Sequence, residues 1–353
     1  LLGVALLALM GGAPAAWAGL TLKGPPRIAF LVPGGVADDG EMQAIDRARK
    51  ALETQFEQRI PLTEHVAPEA AATAVEALIH GGANVIVGGA AGYGAAFAAE
   101  AAAHPDLAFI DLSGAATAPN LESPNVTTYE AWYLAGVAAG NATQSKMIGI
   151  VASLPRGASL CDVNAFALGA RLDSHRIVVL ASFAGSAAPV GTPGRLADAM
   201  LGQGADLVAG DVAVPGPVLA AEAAGHMSIG YPGDMTATAP KGMLTSVVVD
   251  WSAVLSPLLR RIAAGDWTSP GVTFHGIKDA AVDITRPGPA VQPMQLLQLA
   301  KLRQAIIDGS FAPFTGPIRA HGGALKYAEG QVVPPAEALR MDFLVDNVRG
   351  SLK

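Results

Sequence analysis

The chain has 353 residues, of which 51% are hydrophobic, 5% aromatic and 15% charged, with a net charge of −7. That length exceeds one compact core and is expected to divide into about two domains, and the hydrophobic content excludes a disordered chain. The acidic balance and the lack of any Lys/Arg cluster argue against nucleic acid or an anionic membrane as partner and leave small ligands open.

Residues 1–18, LLGVALLALMGGAPAAWA, are apolar and uncharged and end in Ala16-Trp17-Ala18, the small-x-small pattern of a signal peptidase site. Gly11, Gly12 and Pro14 suit an h-region and cleavage region better than a membrane span. The segment predicts a signal-peptide remnant, cleavage, and export to a periplasm. Cys161 is the sole cysteine, so no intrachain disulfide can form and no lipid-acceptor cysteine lies near the cleavage site.

Arg27–Val32 is a short apolar run that predicts a strand buried on both faces of a parallel sheet. A loop with Pro33, Gly34, Gly35, Asp38, Asp39 and Gly40 then feeds a helix whose apolar stripe is Met42, Ile45, Ala48 and Leu52. In an open α/β sheet the crevice at such a strand end is where ligands bind. Further strands are predicted at 60–64, 84–87 and 107–112, with helices at 67–81 and 95–103 between them. The alternation restarts with helices at 133–143, 163–171, 195–204 and 218–225 and strands at 147–152, 177–183, 207–209 and 227–231. A strand at 244–249, a helix at 254–264, a strand pattern at 280–284, a helix at 295–308 and an amphipathic stretch at 336–348 complete the chain. Two similar doubly wound α/β lobes in one exported chain suggest a clamshell with its ligand between the lobes.

Gly89, Gly92 and Gly94 open a helix after a strand, but their G-x-x-G-x-G spacing is not the G-x-G-x-x-G that lets a pyrophosphate approach the backbone. No phosphate-loop, zinc-helix or nucleophile-elbow motif occurs, and the seven histidines are scattered singly. The residues therefore predict no cofactor, no metal and no catalytic group. Polar residues do stand past predicted strand ends: Asp38, Asp39 and Gln43, then Asp111, Asp211 and Asp234. Carboxylates suit a ring N–H, an exocyclic amine or a ribose hydroxyl, although each is equally suited to cap a helix or a turn. Tyr93, Tyr129, Phe183, Tyr231 and Trp251 are the aromatics available for stacking or for core packing.

The stretches GGVADDGEMQAIDRA, PNVTTYEAWYLAGVAAG, VNAFALGAR, IGYPGDMTATAPKGMLTS and AIIDGSFAPFTGPI together resemble the basic-membrane-protein family of ABC-transporter substrate-binding proteins, whose best-known members are purine nucleoside receptors. The resemblance implies a type I periplasmic-binding-protein fold, two lobes joined by a hinge, and delivery of ligand to a membrane permease. In the nucleoside receptors the first loop carries a Phe that stacks on the base and a following Asn; here Met42 and Gln43 stand there. Glu41 occupies the place of a Trp found in a nucleobase-binding branch. Asp111 and Asp234 match two ligand-directed acids, Phe183 keeps an aromatic, and Val249 replaces a lysine directed at the ribose.

The expected lobes are 26–143 with about 245–285, and 144–244, with 286–353 unassigned. The expected function is capture of a purine nucleobase or nucleoside-like molecule by a monomeric periplasmic protein that serves a permease and is not an enzyme. A more apolar solute, a sensing role beside a membrane receptor, and a periplasmic enzyme are the alternatives. The expected ligand-binding set is Asp39, Glu41, Met42, Gln43, Tyr93, Asp111, Phe183, Asp211, Tyr231, Asp234, Val249 and Trp251.

Overall fold

A computed structural model of the chain describes residues 20–37, 40–89, 92–185 and 189–352. The expected signal-peptide remnant and Asp39 lie outside the described residues. In chain order the elements are β1 (Ile28–Leu31), α1 (Gly40–Phe56), β2 (Leu62–Thr63), α2 (Ala71–His80), β3 (Val85–Gly89), α3 (Gly94–Ala103), β4 (Ala108–Leu112) and β5 (Leu121–Val126). There follow α4 (Tyr129–Ala142), β6 (Met147–Ala152), α5 (Gly157–Ala170), β7 (Val178–Phe183), α6 (Thr192–Gly202), β8 (Leu207–Asp211), α7 (Gly216–Ala224), β9 (Met227–Gly230) and β10 (Met243–Val249). Then come α8 (Trp251–Ala264), β11 (Val272–His275), β12 (Val282–Ile284) and α9 (Pro293–Ile307).

The strands β1 to β12 form two sheets of the same plan. One runs β11-β5-β4-β3-β1-β2, and every neighbouring pair in it is parallel. The other runs β12-β10-β9-β8-β6-β7 and ends on a two-residue strand, Val348–Arg349; only β10 and β12 pair antiparallel. In each sheet the first strand of the lobe has the second on one side and the third on the other, which sets a switch point at β1/β3 and at β6/β8. Strands buried on both faces need continuous apolar runs, and β1, β3, β4 and β8 are buried at every position.

The lobe boundaries differ from those expected. The helix α4, assigned by its position to the first lobe, lies against α5 of the second. Its Gly136 and Gly140 face Phe166 and Ala170 so closely that an added Cβ would lie 2.1 Å from each carbonyl oxygen, and the same holds for Gly169 against Tyr133. Only glycine lets two helix backbones meet at this distance. Of the segment 245–285, α8 packs on α1 and β11 joins the first sheet, but β10 and β12 belong to the second. The chain therefore passes between lobes three times, at 127–128, at Asp250 and at 276–281.

The strands that were not anticipated include β5 and β11. β5 has a polar centre that contains Pro124, and β11 is half polar; side chains help to secure them, with Glu122 accepting from Trp267 Nε1 at 2.9 Å and from Thr273 Oγ1 at 3.0 Å. The stretch 336–348, expected to be amphipathic, makes a four-residue helix, Pro335–Ala338, and then continues through turns and irregular backbone. Asn164 on α5 takes the backbone N–H of Val345 at 3.0 Å and donates to Phe343 O at 2.8 Å, so side-chain partners replace helical ones and bind the tail to the second lobe. With α9, which meets Asp283 of β12 through Arg303 at 2.8 Å, the whole C-terminal segment belongs there.

Candidate functional site

A cavity of about 190 Å³ lies between the lobes at the carboxyl ends of the strands. The first lobe supplies Glu41 and Ala44 from the first turn of α1 and Ser113 from the end of β4. The second supplies Ser153 after β6, Ser159 and Asp162 on α5, Asp211 and Ala213 at β8, and Tyr231 and Pro232 after β9. The crossings add Val126 and Thr128, and Val249 and Trp251. Ser153 and Asp211 thus stand at the switch point of the second sheet, where neighbouring loops diverge and leave a crevice.

The lobes touch across this cavity. The Gly40 N–H donates to Ala213 O at 2.9 Å, and a Cβ at Gly40 would lie 2.9 Å from Pro232 Cδ, so the start of α1 is seated directly on two loops of the opposite lobe.

The floor is carboxylic. Asp162 accepts the Thr128 hydroxyl on both oxygens, at 2.9 and 2.8 Å, and Asp211 Oδ2 accepts from Ser159 Oγ at 2.9 Å. Ser159 in turn accepts from the N–H groups of Ser153 and Leu154 at 3.1 and 3.2 Å, which fixes its hydroxyl toward Asp211. Burial pushes both aspartates well above the ordinary carboxylate range; the charge of Asp211 raises Asp162 further, and Glu41 adds to the rise at Asp211. Cys161, beside Asp162, is fully buried and driven up by the same desolvation, so it packs as a small apolar residue and is no thiolate. Among the described residues no group of three or more His, Cys, Asp or Glu is arranged to hold a metal ion.

Of the residues expected at the site, Glu41, Asp211, Tyr231, Val249 and Trp251 line this cavity. The other described ones do not line it. Met42 is buried in the core under α1, and Gln43, one residue on, is exposed. Tyr93 lies 1% exposed in the first-lobe core, stacked on Phe97 with centroids 6.0 Å apart and donating to Val66 O at 2.6 Å. Phe183 is half-buried against the core at the end of β7. Asp111 is fully buried beneath Gly94 and Gly114, with no hydrogen-bond partner on either oxygen among the described residues, and burial pushes it up to about 7. Asp234 is exposed, and its Oδ1 takes both the N–H and the hydroxyl of Thr236, a turn contact that lowers its pKa.

Asp162, Thr128, Ser113, Ser153 and Ser159 were not anticipated. One signal was available: Asp162 is the single charged residue of a 14-residue helix whose other residues are apolar or small, apart from Ser159 and Asn164. A lone carboxyl in such a helix is costly to bury unless it serves a partner.

Residues 26–312 match the model of the family described as PnrA-like ABC transporter substrate-binding proteins. The chain belongs to that family. Substrate-binding proteins of ABC transporters hold small-molecule ligands and work with permeases. Curated relatives include a Haloferax volcanii chain named as the ABC transporter glucose-binding protein TsgA13, 28% identical over 289 residues covering 82% of this chain and 74% of that one. Another is a purine-binding protein of Brucella abortus, 27% identical over 331 residues, or 92% of this chain and 93% of that one. Among solved structures, a solute-binding protein of an ABC transporter system from Conexibacter woesei superposes with a TM-score of 0.70 at 18% identity, covering 81% of this chain and 98% of that chain. A transcriptional activator of the comK gene from Bacillus halodurans gives 0.71 at 19%, covering 81% and 99%. These likenesses show the type I periplasmic-binding-protein fold. No helix among the described residues is long and apolar enough to cross a membrane.

Proposed function

We propose that the chain is the exported capture component of an ABC importer and that its ligand is a purine nucleobase or a nitrogen heterocycle of similar size. The observation that carries this reading is the lining of the interlobe cavity: three carboxyl groups, Glu41, Asp162 and Asp211, beside the aromatic Tyr231 and Trp251. A carboxylate only accepts and a carboxylic acid keeps acceptor capacity beside its single O–H, so the three groups call for a ligand with N–H or O–H donors, and aromatic walls call for a flat one. At about 190 Å³ the cavity is below the roughly 300 Å³ at which drug-sized pockets begin, which favours a single ring system over a nucleoside. The same acids disfavour a wholly apolar solute. The purine-binding relative agrees with the reading, and the glucose-binding relative supplies its rival, since a sugar also has donors and a stacking face.

The test is a thermal-shift and calorimetric screen of refolded, ligand-stripped protein against adenine, guanine, hypoxanthine, xanthine, their nucleosides and glucose. A ligand at about 1,000 times its Kd stabilises by roughly 4 kcal/mol, a visible rise in midpoint. A shift with a nucleobase is the expected result; a shift with glucose and with no purine overturns the reading.

A further inference from the structure

The described lining of the cavity is acidic. Glu41 enters from the first lobe and Asp162 and Asp211 from the second, and no Lys, Arg or His is among the lining residues. The other titratable groups that face the two aspartates are Cys161 beside Asp162, Tyr129 at the start of α4 and Tyr231 after β9, and none of them is a cation. Asp211 is only 4% exposed, spends Oδ2 on Ser159, and has no hydrogen-bond partner for Oδ1 among the described residues, although it lines the cavity. Two buried carboxyl groups in each other's field cannot both ionise cheaply. A positive charge placed between them lowers that cost, and Tyr231 and Trp251, which line the same cavity, are aromatic side chains of the kind that attract cations.

We propose that the cleft selects charge as well as shape: it seats a cationic N–H group, an amidinium or a primary ammonium, among Glu41, Asp162 and Asp211, and its binding releases one proton. The exchange is balanced. One carboxylic acid gives its proton to the solvent, and the carboxylate left behind pairs with the incoming cation. Burial raises both aspartates above the ordinary carboxylate range, which favours the protonated form while the cleft is empty. The inference rests on the interlobe cavity being the ligand site and goes beyond the nucleobase reading, since the nucleobases are uncharged near pH 7.

The probes are benzamidine, a flat cation, and benzamide, its neutral isostere, titrated calorimetrically into the full chain at pH 6, 7 and 8 in phosphate and in Tris, beside adenine. Benzamidine is expected to bind at least tenfold tighter than benzamide at pH 8. Its affinity is expected to rise with pH by up to about tenfold per unit, the slope of one released proton, and its heat to differ between the two buffers accordingly. Glu41→Gln and Asp211→Asn are each expected to reduce the preference for the cation, and Asp211→Asn also to flatten the pH slope, with folding checked by circular dichroism. Equal affinity for the two probes, a preference for benzamide, or failure of benzamidine to bind overturns the proposal. Adenine binding alongside any of those results leaves the nucleobase reading standing while this one falls, and benzamidine binding with the expected slope but without adenine does the reverse.

Discussion

The Thr128 hydroxyl stands 2.9 and 2.8 Å from the two oxygens of Asp162, so the first passage between the lobes is bound to the floor of the cleft by one bifurcated contact between buried side chains. Thr128 precedes α4 and Asp162 is on α5, the two helices that meet at their glycine backbones. The contact therefore joins the hinge, the helix pair and the ligand cavity. Opening of the lobes must turn the chain at 127–128, and this bond sets one end of that turn.

Removing the donor alone should be costly. Thr128→Val leaves a buried carboxyl without its partner and is expected to lower stability by about 1–3 kcal/mol in urea unfolding. Adding Asp162→Leu to it should recover part of that loss, because a pair of apolar groups leaves nothing unsatisfied. A double-mutant cycle reads the interaction directly; a coupling energy indistinguishable from zero would show that the two side chains do not support each other.

Gly40 tests closure. Its Cβ position is 2.9 Å from Pro232 Cδ and 3.0 Å from Ala213 O, both on the opposite lobe. Gly40→Val is expected to wedge the lobes apart at the mouth of the cavity, since neither backbone can yield. Ligand affinity should fall by about tenfold or more, near 1.4 kcal/mol, while the unfolding midpoint of the empty protein changes little. Small-angle scattering with saturating ligand should show the variant more extended than the parent. Unaltered affinity and an unaltered scattering profile would mean that this contact is not part of the liganded form.

How far the sequence reveals this molecule depends on what each element relies on. Strands such as Ile28–Leu31 and Met147–Ala152 are legible because burial on both faces demands apolar runs. Leu121–Val126 is not, because hydrogen bonds from Trp267 and Thr273 to Glu122 hold it where hydrophobicity does not. The site divides in the same way. Asp211 could be read from its position at a strand end, the place that open-sheet geometry exposes to a ligand, Tyr231 and Trp251 from being aromatic, and Val249 from the family resemblance alone. On α1, Glu41 and Ala44 share the face turned to the cavity, as residues three apart must, and Gln43 is carried round to solvent by the same helical period. Asp162 reaches the cavity from within a helix, and no strand-end rule could have found it.

The meeting of α4 and α5 gives the sharpest stability prediction. At Gly136 a Cβ would lie 2.1 Å from the Phe166 carbonyl oxygen, and at Gly140 the same distance from that of Ala170. A backbone carbonyl inside a buried helix cannot rotate away. Gly136→Ala should therefore push the helices apart along their length and cost about 3 kcal/mol, against the gain that alanine normally brings to a helix. Chemical denaturation measures it. A variant as stable as the parent would show that the helices can separate without loss.

Asp111 makes a prediction with a definite sign in pH. It is fully buried, neither carboxyl oxygen has a partner among the described residues, and burial pushes its pKa up to about 7. An aspartate in the unfolded chain titrates near about 3.9. As pH rises from about 4 the unfolded state sheds this proton first, so the unfolded state binds fewer protons and stability falls until the folded group also ionises near pH 7. The stability that the neutral acid contributes is thus full at low pH and lost through that window. Asp111→Asn keeps the shape and removes the titration. In the empty protein the variant's midpoint should equal or trail the parent's at pH 4.5 and exceed it by several degrees at pH 8, with the crossover inside the window. Asp162 and Asp211 impose slopes of the same sign, but they are present in both proteins and cancel in the difference. Differential scanning calorimetry from pH 4.5 to 8 measures that difference. If it does not vary with pH, the Asp111 carboxyl is hydrated or paired in solution and the cost assigned to its burial is absent.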